Sequence, residues 1–95
     1  MPLERRSLEH TLRALGFREE GGDHRFFILY WRERRVVRTK TSRGTQQRTI
    51  GERLAAEIAH EMRISRATLS DLVAGTKTKD DYLAELRRQG LLSNP

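Results

Sequence analysis

The sequence predicts an α+β fold: one helix, three strands forming an antiparallel sheet, a second helix, then two short helices toward the C-terminus. Three observations predict it. Apolar residues recur at helical spacing near both ends of the chain but not between residues 17 and 40. The run from His24 to Trp31 is apolar enough for a strand, and a short polar turn joins it to Val36-Val37. Glycines and capping residues stand at nearly every boundary this division requires. At 95 residues the chain makes one small domain, 1–95. Within it, 4–62 form the α-β-β-β-α core and 63–95 a helical extension.

The first helix covers 4–15. Leu8, Leu12 and Leu15 form one apolar stripe, and Gly16 stands where a helix C-terminus favours a residue without a Cβ. Phe17 to Glu20 reads as a short strand, turned at Gly21-Gly22-Asp23. His24 to Trp31 is the second strand. Its two alternating sets are His24, Phe26, Ile28, Tyr30 and Arg25, Phe27, Leu29, Trp31. Periodicity does not decide between them; we favour Phe27, Leu29 and Trp31 inward, which leaves His24 on the open face. Arg32-Glu33-Arg34 is a polar turn, and Arg35 to Lys40 is the third strand.

Thr41 to Arg48 is a small, polar, basic loop around Gly44, a shape suited to presenting backbone N–H groups and guanidinium forks to phosphate. Thr49 with Glu52 reads as a capping box opening a helix over 50–62, with Ile50, Leu54, Ile58 and Met62 along one side. Ser65 caps a short helix that holds Leu69, Leu72 and Val73 and ends at Gly75. Thr78 caps a last one that holds Tyr82, Leu83 and Leu86 and ends at Gly90.

The net charge is +6, and its location is informative. Arg32, Arg34, Arg35, Arg38, Lys40, Arg43 and Arg48 are opposed in their segment only by Glu33, so that segment alone accounts for the whole excess. A concentrated basic patch is the footprint of a polyanion-binding surface. There is no cysteine, hence no disulfide framework or thiolate metal site, and neither His-x-x-x-His spacing nor an acidic cluster on the strands marks a metal centre. No cofactor is expected. No apolar run approaches the ~18 residues of a membrane span, and no apolar stretch of a secretory signal follows the basic N-terminus. The expectation is a cytoplasmic protein with no membrane partner.

His24 has the chemistry to act on RNA. The 2′-OH of RNA can serve as its own nucleophile, so a protein needs a base for that proton, an acid for the leaving oxygen and positive charge for the phosphorane-like transition state. Imidazole, with an ordinary pKa of ~6.5, suits the first task. Arg25, Arg35, Arg38, Lys40, Arg43 and Arg48 are the candidate phosphate-binding residues, and no metal is needed. His10 and His60 fall on helices and read as surface residues.

The order of elements, with Gly22-Asp23-His24 opening the second strand, Phe27 three beyond, Gly16-Phe17 after the first helix and a basic third strand, resembles the HicA-type toxin family over residues 4–62. Residues 64–92 look like the C-terminal extension of divergent HicA-like proteins. The resemblance implies a double-stranded-RNA-binding-domain-like fold, a catalytic role for His24, endonucleolytic action on messenger RNA and an antitoxin partner that silences it. The chain departs from the family in having Asp23 where many members have Ser or Asn. It also has Arg43 and no histidine in Thr39 to Gly44.

Two other readings fit the same residues. The first is a nucleic-acid-binding module without catalysis, with His24 a structural strand end. The second is DNA binding: residues 54–72 resemble the helix-turn-helix of repressor-like proteins, with Arg66, Thr68 and Ser70 toward duplex DNA and Arg63 where that turn usually has glycine.

Overall fold

In the computed structural model, residues 3–21, 25–41 and 48–92 are described. Among the described residues the fold is α+β, with four helices, a three-stranded antiparallel sheet and a separate two-stranded pair. The elements are β1 (Leu3–Glu4), α1 (Arg5–Ala14), β2 (Arg18–Glu20), β3 (Arg25–Trp31), β4 (Arg34–Thr41), β5 (Thr49–Ile50), α2 (Glu52–Glu61), α3 (Arg66–Ala74) and α4 (Lys79–Arg88).

Helix α1 forms as its leucine stripe requires: Leu8 and Leu12 are fully buried and Leu15 nearly so. It stops at Gly16, whose φ of +98° is the left-handed geometry that L side chains resist. Two bonds there satisfy carbonyls at the helix end, from the Gly16 N–H to Arg13 O (3.0 Å) and from the Phe17 N–H to Leu12 O (3.0 Å). The chain emerges aimed at the sheet, ordered β2-β3-β4 with β3 in the middle. Phe27, Leu29 and Val37 face the helices and belong to the core, as does Leu12 across from them. Trp31 is half-buried at the rim of that core, under the Arg87 guanidinium at 5.5 Å.

Strand pairing between β3 and β4 contains one irregularity. Leu29 pairs with Val37 and Tyr30 with Arg35, so Val36 is an extra residue. Simple alternation would put Arg35 on the face of Val37. The bulge resets the phase and sets Arg35 beside Tyr30, its direct cross-strand neighbour.

The β3–β4 connection is a two-residue turn, Arg32-Glu33, with φ of +52° and +69°. Such turns match strand twist but favour Asn-Gly, because a Cβ is strained at positive φ. Replacing Arg32-Glu33 by Asn-Gly is therefore expected to stabilise the fold by about 1 kcal/mol, a rise in Tm of about 4–8 °C for a domain of this size. Thermal unfolding checks this, and an unchanged or lower Tm would show that the arginine and glutamate side chains make compensating contacts.

Thr49 does not cap α2. Its backbone pairs with Glu4, while Ile50 pairs with Leu3, and the Arg5 N–H donates to Arg48 O at 2.8 Å. The helix starts at Glu52 with Gly51 as its N-cap and no side-chain capping bond. The expected stripe survives in part: Ile58 and Met62 are fully buried, Ile50 is buried from its strand, and Ala55 and Ala59 join them.

The later caps form as expected. The Thr68 N–H donates to Ser65 Oγ at 3.0 Å, and Thr78 and Asp81 make a reciprocal capping box. That bonding holds the Asp81 carboxyl below its ordinary value. Helices α3 and α4 pack into the same core as the sheet and α1. Leu69, Leu72, Tyr82, Leu86 and Leu92 share one continuous core with Leu3, Leu8 and Phe27. The Tyr82 hydroxyl donates to Met62 O at 2.9 Å, and its ring lies 6.0 Å from that of Phe17.

Candidate nucleic-acid interface

The face of the sheet turned away from the helices carries an unusual mixture. Its central row, from β3, is Phe26, Ile28 and Tyr30. Cross-strand pairing flanks Ile28 with Arg18 on one side and Arg38 on the other. Ile28 is only 5% exposed yet lies outside the connected core, as expected for an apolar residue lying between two long arginine stems. The Arg38 guanidinium lies over the Phe26 ring at 4.4 Å, and that of Arg18 lies over the Tyr30 ring at 4.8 Å.

Toward β4 this face is strongly basic. Lys40 pairs with Phe26, Arg38 with Ile28 and Arg35 with Tyr30, and all three cations are exposed. Inward-facing Val37, Thr39 and Thr41 alternate with Arg38 and Lys40 along the strand. One side of β4 thus belongs to the core and the other presents charge. Toward β2 the balance changes. Glu20 pairs with Phe26 and accepts the Tyr30 hydroxyl proton in a 2.6 Å hydrogen bond. That bond raises the Tyr30 pKa above its ordinary value, so the phenol keeps its proton.

Of the expected phosphate-binding residues, the structure brings Arg35, Arg38 and Lys40 together. Arg48 is exposed just before β5, and its carbonyl accepts from the Arg5 N–H. Arg25 goes to the other side of the sheet, where its Nη1 donates to Glu9 Oε1 at 2.9 Å. Glu9 is 4% exposed, and its second oxygen accepts from Thr41 Oγ1 at 2.9 Å. A buried carboxylate needs such partners. Arg25 shares the face of Phe27 by strand alternation, and its pairing with Glu9 ties the ends of β3 and β4 to α1. His24 and Arg43 lie outside the described residues, as do most of the Thr41–Arg48 loop and the Gly22-Asp23 turn.

Arg18, Glu20, Phe26 and Tyr30 also stand on this face, outside the residues expected from the sequence. The signal was present in the alternation of aromatic and charged residues along two neighbouring strands, but only the pairing register joins them. His60 is exposed, as expected for a helix surface. It also lines a cleft of about 460 Å³ with Arg35, Arg38 and Arg63, between β4 and the end of α2.

The α2–α3 turn has one feature of the DNA-binding reading. Arg63 adopts φ +67°, the left-handed position for which glycine is usual. The side chains meant for DNA are engaged elsewhere. Arg66 forms a two-pronged pair with Glu52, at 2.8 and 3.2 Å, and also donates to Ser70, while Thr68 bonds Ser65. Among the described residues no helix is long and apolar enough to cross a membrane. The chain matches no protein-family model, no curated protein and no solved structure.

Proposed function

We propose that this protein binds RNA across the exposed sheet face and cleaves it without a metal, as an endoribonuclease of the HicA type acting on messenger RNA. The observation that carries the reading is the row of Arg35, Arg38 and Lys40 along one side of β4, beside a strip of rings. Three exposed cations on a rigid strand supply the positive charge that phosphate needs, both for binding and for the charge developing in the transition state. His24 stands two residues before Phe26 in the sequence, one strand period, and is the general base of this reading. Two helices over one side of a three-stranded sheet support the double-stranded-RNA-binding-domain-like arrangement implied by the resemblance. An acidic, antitoxin-like protein is the partner suited to cover the rim.

The DNA-binding alternative keeps the geometry of the Arg63 turn in its favour. It asks α3 to contact bases with Arg66, whose charge is matched by Glu52, and with Ser70, which bonds Arg66.

The test is incubation of the protein, in EDTA, with an RNA carrying both a hairpin and single-stranded tails, alongside a duplex DNA. Cleavage of the RNA is the expected result. In the binding arm, alanine at Arg35, Arg38 or Lys40 is expected to reduce the slope of log affinity against log salt by about 0.7 for each phosphate that the variant no longer neutralises. Binding to RNA with no cleavage removes the catalytic claim and leaves a binding module. Binding to duplex DNA with no affinity for RNA transfers the function to the α2–α3 unit.

A further inference from the structure

We propose that Tyr30 and Glu20 form a guanine-reading subsite for unpaired RNA, with Phe26 as a neighbouring stacking platform. The inference rests on the RNA-binding reading and deepens it by naming what the sheet face recognises.

The three strands present three different chemistries in adjacent rows. Cations lie along β4, the rings of Phe26 and Tyr30 along β3 with Ile28 between them, and on β2 the Glu20 carboxylate beyond the rings, with Arg18 two residues away over Tyr30. Neighbouring strands are about 4.8 Å apart, so the rows together are as wide as one nucleotide lying across the sheet. A phosphate over β4 leaves its base above β3 and the base edge pointing at β2. A base in a duplex cannot occupy this arrangement, because its faces are covered by neighbours and its pairing edge is used. Sheets that recognise single strands work in this manner, with rings stacking splayed bases and side chains reading their edges.

Glu20 decides which base. Its carboxylate offers two acceptor oxygens side by side and no donor. The pairing edge of guanine presents two adjacent donors, N1–H and the 2-amino group. Adenine and cytosine each set one amino group beside an acceptor nitrogen, and uracil places its single N–H between two carbonyls that repel the second oxygen. The Tyr30 hydroxyl, donating to Oε2 at 2.6 Å, holds the carboxylate beside the ring that would carry the base. Oε1, together with a second lone pair on Oε2, is left for the two guanine donors.

The guanidinium groups over the rings are not an obstacle. An exposed cation–π contact corresponds to about two- to five-fold in an equilibrium constant. Stacking of a base on an aromatic ring corresponds to about 5- to 150-fold. The base displaces Arg18 from Tyr30 and Arg38 from Phe26, and each released guanidinium then pairs with phosphate.

The experiment compares eight-residue uridine oligomers carrying one central guanine, inosine, adenine or cytosine with the all-uridine oligomer, by fluorescence anisotropy at fixed salt. The guanine oligomer is expected to bind about 5- to 150-fold tighter than the all-uridine one, with inosine, which lacks the 2-amino group, in between. Glu20→Gln is expected to bring the guanine-to-uridine ratio close to one. The readout is a ratio because loss of a negative charge, or a purely structural role of Glu20, moves both affinities together. Tyr30→Phe is expected to reduce the same ratio, and Phe26→Ala to weaken both oligomers. A wild-type ratio of one, or a ratio unchanged in Glu20→Gln, overturns the subsite. Binding confined to hairpin RNA overturns it as well, while leaving RNA binding intact. Absence of binding to every RNA removes the reading on which it rests.

Discussion

His24→Ala is expected to lower metal-free RNA cleavage by about 10²- to 10⁴-fold, the usual contribution of a positioned acid–base group. The effect is large because no group beside His24 in sequence matches imidazole as a base near neutral pH: a carboxylate, with an ordinary pKa of ~3.9, is far weaker, and a guanidinium has no lone pair to offer. Its neighbours are Asp23 and Arg25, and the Arg25 guanidinium is bound to Glu9. The measurement is single-turnover cleavage in EDTA, with the unfolding midpoint of the variant as a control for folding. Wild-type rate should rise with pH as the imidazole loses its proton and becomes able to accept one, and that limb of the profile should vanish in the variant. Undiminished cleavage by a folded His24→Ala protein would exclude the histidine as the base. His60, beside Arg38 and Arg63 in the cleft along β4, would be the next residue to replace.

Phe27→Ala is expected to destabilise the fold by about 3–5 kcal/mol. Phe27 is fully buried in the central strand, in the same core as Leu8, Leu12 and Leu29. Truncation there removes a ring's worth of buried surface and leaves a cavity that a close-packed sheet and helix layer cannot fill. A domain of 95 residues has a total stability of only about 5–14 kcal/mol, so the variant should be substantially unfolded well below the wild-type Tm. Urea unfolding measures it. The adjacent residue gives the contrast. Phe26 is half-buried on the opposite face under Arg38, and its truncation should cost about 1–2 kcal/mol of stability, well below that of Phe27, while weakening RNA binding. Equal stability losses at the two positions would mean that the sheet is buried on both faces and that no interface is exposed.

These neighbouring phenylalanines also mark how far the sequence could be read. A strand sends alternate side chains to opposite faces, so the division of β3 into Phe27-Leu29 and Phe26-Ile28-Tyr30 was visible in the chain itself. What it could not show was the company those residues keep. Phe26 and Tyr30 become a candidate site only when β2 and β4 bring Arg18, Glu20, Arg38 and Lys40 beside them. That register is a non-local fact.

Local chemistry determined a good deal unaided: the stripe and glycine stop of α1, the Ser65 and Thr78 caps, the glycines that close α3 and α4, and the basic character of β4. Each depends on residues within about one helical turn or strand period of one another, and such interactions are written in order along the chain. The tertiary structure decided the rest. Thr49 became a strand residue because Glu4 is its neighbour across the β1–β5 pair. Glu9 could be buried because Arg25 and Thr41, from two strands, meet its carboxylate. Arg35 joined the open face because a bulge at Val36 reversed the phase of β4. Helices α3 and α4 merged into the main core because Leu69, Tyr82 and Leu86 had apolar surface to bury. In each case the partner lies far away in sequence. Burial, register and charge compensation act between neighbours in space, and only the fold decides who those neighbours are.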